Sequence, residues 1–254
     1  MPFTFAHPAI VLPLGRLSKR TVSLTALVIG SMIPDFEYFI RMKLIGIYGH
    51  SLGGLFWFDL PLGMLVYFAY QRLVKKHLID YLPAYLNRRF STYKSIDAGG
   101  VSAKGVITIM ICLLIGSASH LFWDGFTHKQ RYFAAHFPIF TSTINLVGHP
   151  VFVYKFLQHC STVIGFSVIG IAITRLPKGE ASGQQNKARF WLSVSAIMLL
   201  VLAIKAIACI KTWNSQSEFP YGDIIVTAIS GLLLGLLLVG SYARNKKGPI
   251  AGAF

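Results

Sequence analysis

The segment HLFWDGFTH, His120 to His128, sets two histidines and an aspartate at every fourth position. An α-helix turns by about 100° per residue, so positions four apart drift by only about 40° and His120 and Asp124 share one face. Imidazole nitrogens and carboxylate oxygens so placed are the donor set of zinc and related divalent metals. His128 extends the stripe if the helix persists, and leaves it if Gly125 ends the helix first. Such groups are scarce: the chain has 9 acidic residues and 8 histidines in 254.

Similar chemistry recurs elsewhere. GSMIPDFEYFIR carries Asp35, Glu37 and Arg41; YGHSLGG carries His50; FWFDLPLG carries Asp59; and His7 and His159 lie near the start and after the middle of the chain. Each has a plainer reading when taken alone. Asp35 follows Pro34 and suits a helix cap. His77, His136 and His149 suit interfacial polar positions, and Lys205 can extend its charge outward along its own stem. Asp59 inside an apolar stretch must face other helices, either as a partner that holds a ligating histidine or as a polar helix contact.

The elements that must carry these residues are apolar. Hydrophobic residues make up 54% of the chain and charged residues only 13%, whereas a soluble domain carries about 25% charge. The expected fold is therefore all-α, a polytopic helical bundle forming a single integral membrane domain over 1–254. With about 20 residues needed to cross a bilayer, six spans are expected at 21–40, 52–73, 104–123, 152–173, 191–210 and 223–243. The stretch 3–15 is too short to cross and reads as a re-entrant or interfacial helix. The opening residues do not read as a signal peptide, because their basic groups follow the apolar stretch. Cys112, Cys160 and Cys209 lie in apolar segments without CxxC spacing, which gives no thiolate site.

The net charge of +15 comes from clusters flanking apolar segments, a membrane-topology pattern and not a nucleic-acid surface. Arg16, Lys19 and Arg20; Lys75, Lys76, Arg88, Arg89 and Lys94; Arg175, Lys178, Lys187 and Arg189; and Arg244, Lys246 and Lys247 mark one side. The alternate connections hold fewer: Arg41 and Lys43, then Lys129 and Arg131, then Lys211. The rich side is expected to be cytoplasmic, with both terminal basic segments there. On that topology Asp35, Glu37, His50, His120, Asp124, His128, His149 and His159 fall towards the outer face, and His77 alone falls in a cytoplasmic loop. Segments 8–17 and 21–34 would form an antiparallel hairpin carrying His7 back towards Asp35. Its first arm is only about 15 Å long at 1.5 Å per residue, which leaves the depth of His7 open.

The stretches MPFTFAHPA, TALVIGSMIPDFEYFIR, GHSLGGLFWFDLPLG, HLFWDGFTH and YKFLQHCSTVIG together resemble a bacterial multi-spanning membrane family of unknown function. The likeness covers about residues 1–175, with two generic spanning helices following in 189–243. That family is distantly similar to inner-membrane metal-dependent hydrolases, which carry an early His, a PDxD element, an HS element and an HxxxD element in this order. The matching positions are His7, Asp35, His50, and His120 with Asp124; Glu37 stands displaced from the second acid of PDxD. A weaker likeness is to zinc-dependent phospholipase C enzymes. The resemblance implies one or two divalent ions, zinc above all, on His7, Asp35, His50, His120 and Asp124, with His128 and His159 completing a second site.

The expected activity is hydrolysis of a phosphoester, lipid or lipid-linked, at the outer face of a bacterial cytoplasmic membrane. Asp35 or Glu37 would orient or deprotonate water, Arg41 would contact phosphate, and Asp59 would support a ligand. The competing expectation is a non-enzymatic membrane protein, a transporter or a structural or metal-binding partner, that uses the same polar cluster.

Overall fold

A computed structural model of the protein describes residues 3–17, 22–94, 102–181, 186–214 and 220–246. In chain order its helices are α1 (Pro8–Val11), α2 (Leu24–Gly30), α3 (Phe36–Arg41), α4 (Leu60–Ala69), α5 (Lys75–Tyr81), α6 (Ala84–Phe90) and α7 (Ala103–Thr127). There follow α8 (Tyr132–His136), α9 (Pro138–Thr141), a two-stranded antiparallel hairpin of β1 (Thr143–Leu146) and β2 (His149–Phe152), then α10 (Val153–Thr174), α11 (Lys187–Asn214) and α12 (Tyr221–Lys246). Helices α7, α10, α11 and α12 are long and apolar enough to cross a membrane. Among the described residues there are four such helices, where the hydropathy of the sequence suggested six spans. The first expected span is broken: α2 stops at Gly30, a short 3-10 turn covers Ile33–Asp35, and α3 begins anew at Phe36. Pro34 lies within that turn, where its ring excludes a regular helical hydrogen bond. The second expected span is helical from Leu55 to Tyr81, but it is interrupted by wider π-type turns at Leu55–Asp59 and Tyr70–Val74.

The chain divides into two compact units. The first contains the described residues of Met1–Asp35, Ile47–Tyr67 and Gly99–Leu176. Its centre is the parallel packing of α2 on α7, with Ser23 beside Cys112 at one end and Ser31 beside His120 at the other. Ser23 caps α2 by accepting the Ala26 N–H at 3.2 Å, and Ser102 caps α7 by accepting the Gly105 N–H at 3.1 Å. Two glycines let these helices approach closely. A Cβ on Gly116 would fall 2.5 Å from the Leu27 carbonyl oxygen, and one on Gly30 would collide with the Leu113 backbone. Ser117 Oγ uses that proximity to donate to the Gly30 carbonyl at 3.1 Å. Small residues at a helix crossing are the usual route to tight association where the surroundings are apolar. The segment 3–16, built of α1 between 3-10 turns, packs against α2, α7 and α10.

The second unit contains the described residues of Phe36–Gly46, Phe68–Ala98 and Pro177–Phe254. Here α12 runs alongside α11 and carries one polar stripe, Asp223, Thr227 and Ser230. These residues satisfy backbone groups at the end of α3. Ser230 Oγ donates to the Phe39 carbonyl at 2.7 Å, Thr227 Oγ1 to the Met42 carbonyl at 3.4 Å, and Asp223 Oδ1 accepts the Leu44 N–H at 3.0 Å. A helix end among apolar neighbours needs such partners, since its last carbonyls have none of their own. Trp191 Nε1 and Lys187 Nζ, both on α11, do the same for the Tyr81 and Leu82 carbonyls, each at 2.9 Å. Of the basic residues that marked the topology, Lys19, Arg20 and Lys247 lie outside the described residues.

Candidate metal centre

Five buried side chains of the first unit converge at the far end of α7. His120 and Asp124 come from its last two turns, and both face inward. Gly125 does not end the helix, which runs on to Thr127. His7 precedes α1, with Pro8 at the first helical position. Asp35 closes the 3-10 turn after α2. His50 comes from the connection before Leu55, and Gly49 lets that connection lie flat on the turn: a Cβ there would sit 2.6 Å from the Pro34 carbonyl oxygen. The short first arm therefore does carry His7 to the level of Asp35.

The donor atoms are spaced as if around a common centre. His50 Nε2 lies 3.2 Å from Asp35 Oδ1 and 3.6 Å from Asp124 Oδ2. His120 Nε2 lies 3.5 Å from Asp35 Oδ1 and 3.4 Å from Asp124 Oδ2. Two ligands of one zinc ion at bond lengths of about 2.0–2.2 Å lie roughly 3.3–3.6 Å apart, so each of these pairs is close enough to share an ion. His7 Nε2 reaches the other oxygen of Asp124, Oδ1, at 3.3 Å, and its ring stacks on that of His120 with centroids 3.8 Å apart. Two groupings have donor atoms mutually within 4.8 Å: His7, Asp35 and His120, and His50, His120 and Asp124.

The outer nitrogens determine which atoms face inward. His120 Nδ1 is 2.8 Å from the Ser31 carbonyl and His7 Nδ1 is 3.3 Å from the Thr4 carbonyl. A carbonyl only accepts, so Nδ1 carries the hydrogen and, in a neutral ring, Nε2 presents a lone pair. That lone pair on His120 meets carboxylate oxygens, an arrangement of acceptors against acceptors. Asp35 Oδ1, Asp124 Oδ2 and His120 Nε2 are buried without a hydrogen-bond partner. His120 Nε2 is nearly equidistant from the two oxygens, a position that suits a cation shared between them.

Supporting groups complete the arrangement, and the sequence offered little to single them out. Thr4 Oγ1 donates to Asp35 Oδ2 at 2.6 Å, leaving Oδ1 for the centre. Trp123 sets its edge against His7 at 5.8 Å and donates from Nε1 to Ser161 Oγ at 3.1 Å, linking α7 to α10. Arg131 Nη1 donates to the His50 carbonyl at 2.7 Å. Groups that orient metal ligands typically contribute ~10–100-fold to affinity. Thr4→Val, which keeps the shape and removes the hydroxyl, is expected to weaken zinc binding by that factor. Competition with a chromophoric chelator reads the affinity, and an unchanged circular dichroism spectrum separates the effect from misfolding.

The remaining candidates are placed differently. His128 is half-buried at the C-cap of α7, its Nδ1 3.6 Å from Asp124 Oδ1. His159 is exposed on α10, and His136 and His149 are exposed as well. Asp59 is buried in the first unit, in the π-type turn that opens the helix at Leu55. Glu37 and Arg41 belong to the second unit, where Arg41 Nη2 and Nε lie 2.8 and 2.9 Å from Glu37 Oε1.

Fold and site together define a helical membrane protein with a buried His/Asp cluster able to hold a metal ion. The chain belongs to the family described as a domain of unknown function (DUF4184), whose profile matches residues 1–241. No curated protein sequence and no solved structure matches it significantly.

Proposed function

We propose that the protein is a metal-dependent hydrolase of a phosphoester, lipid or lipid-linked, working at the outer face of a bacterial cytoplasmic membrane. The observation that carries this reading is the set of inward-facing Nε2 and carboxylate oxygen atoms, 3.2–3.6 Å apart, in a buried site. His50, His120 and Asp124 would hold one ion; His7, Asp35 and His120 offer the donors of an alternative position, since both groups use His120. A divalent ion bound there supplies an acidified water and polarises a phosphoryl oxygen. Asp35 Oδ1 accepts the proton of the attacking water, while the Thr4 hydroxyl holds that carboxylate through Oδ2. The Nδ1 hydrogen bond of His120 to the Ser31 carbonyl keeps that ring in the tautomer whose Nε2 can bind. Apolar burial excludes bulk water and strengthens each electrostatic contact. If α7, about 37 Å long at 1.5 Å per residue, is centred on a bilayer, a site in its last two turns would sit near the headgroups, which suits a lipid substrate.

Two measurements on detergent-purified protein test this. Metal analysis is expected to find zinc or a related divalent ion, and incubation with phospholipid is expected to release headgroup. Chelation should abolish release and zinc should restore it. Metal without turnover on any phosphoester would instead support a binding or structural role, in which chelation lowers thermal stability and nothing more.

A further inference from the structure

We infer that Arg131 and the His/Asp cluster form one anion site, in which Arg131 takes an oxygen of a phosphoryl group. The inference rests on the metal-dependent reading for the cluster and on separate geometry for the arginine. Arg131 caps the start of α8, three residues after His128. Its Nη1 donates to the main-chain carbonyl of His50 at 2.7 Å, across 81 residues of sequence. The ring of the same His50 puts Nε2 3.2 Å from Asp35 Oδ1. One residue thus joins the guanidinium to the donor cluster.

The guanidinium is half-exposed, and no other hydrogen bond or ion pair engages it among the described residues. It has five N–H donors in a planar fork, so four remain for a ligand after the bond to His50. The fork matches two oxygens of a phosphoryl group, and its charge persists at any physiological pH. Arg41, the arginine singled out from sequence, is already paired with Glu37 on its own helix. Arg131 attracted no attention there because a basic residue in a connection between spans reads as a topology signal. Its bond to His50 is visible only in three dimensions. The bound group is a phosphate monoester or diester oxygen, presented either by a lipid headgroup or by a soluble phosphoester.

The test uses inorganic phosphate with the full chain, zinc-loaded and zinc-free. Arg131→Gln retains an N–H donor for the His50 carbonyl and removes the charge. It is expected to raise the Kd for phosphate about tenfold, the low end of the effect of a hydrogen bond to a charged group. Zinc stoichiometry and melting temperature should stay at wild-type values. Labelling of wild-type protein with an arginine-specific dicarbonyl supplies a readout that does not depend on the variant folding: phosphate should slow modification of Arg131. Nanodiscs of phosphatidylcholine with and without phosphatidic acid separate the sources. Protection by phosphatidic acid without free phosphate assigns a lipid headgroup, and protection by phosphate alone assigns a soluble ligand. Equal phosphate affinity in Arg131→Gln, or Arg131 labelling unaffected by either ligand, overturns the inference. A wild-type protein that binds no metal removes the hydrolase reading, while the phosphate comparison on zinc-free protein still decides the role of Arg131.

Discussion

Asp124→Asn is expected to leave the purified protein without bound divalent metal. Asp124 faces four imidazoles: Oδ2 lies 3.4 Å from His120 Nε2 and 3.6 Å from His50 Nε2, and Oδ1 lies 3.3 Å from His7 Nε2 and 3.6 Å from His128 Nδ1. Asparagine keeps the shape, loses the charge, and turns one oxygen into an amide that cannot ligate. The loss of zinc affinity should exceed the ~100-fold upper range for a merely supporting group. Metal analysis reads this directly. A second readout is melting temperature against chelator. The wild type should lose up to about 2.7 kcal/mol of stability where free metal had stood at about 100 times its Kd, and Asp124→Asn should not respond. If the cluster is only a network of ion pairs, both proteins melt alike with and without chelator, and the metal reading fails.

Gly116→Leu has the next largest expected effect, and it acts at a distance of one helical turn from the cluster. A Cβ at this position meets the Leu27 carbonyl at 2.5 Å and the Ser31 amide nitrogen at 2.6 Å, both backbone atoms that cannot rotate away. The two helices must separate, and overpacking of this kind costs ~1–3 kcal/mol or more. Separation also breaks the 2.8 Å bond that holds His120 Nδ1 to the Ser31 carbonyl and the 3.1 Å bond from Ser117 to Gly30. The expected outcome is a lower melting temperature together with loss of metal. Ile115→Leu is the control, because Ile115 is 44% exposed, about 100° around α7 from Gly116, and should leave both unchanged. Full metal occupancy in Gly116→Leu would show that the close crossing does not position His120.

The parts of this site differ in how far sequence reached them. Spacing four apart on an apolar stretch was enough to put His120 and Asp124 on one helix face, because helical periodicity is local. Ordering spans by their flanking charges grouped further His and Asp residues at one level, but level is only one coordinate. His159 shares that grouping and is nevertheless exposed, since the rotation of α10 about its own axis depends on which face packs on α7 and on the segment 3–16. Thr4 and Arg131 were silent for a different reason: hydroxyl and basic residues are common near helix ends, and their bonds to Asp35 and His50 span 31 and 81 residues. Within the first expected span, hydropathy averages over a window and misses the 3-10 turn containing Pro34.

What the sequence determined by itself is therefore the set of local quantities: an apolar helical chain, and a His/Asp pair on one face of α7. Composition and periodicity are enough for these because they depend on neighbours within a turn or two. Only the tertiary structure decided that the break after α2, the connection before Leu55 and the segment ahead of α1 deliver Asp35, His50 and His7 to that face. Their meeting rests on backbone contacts at Gly30, Gly49 and Gly116, where the absence of a side chain lets distant segments touch. No local pattern records what an absent side chain makes room for.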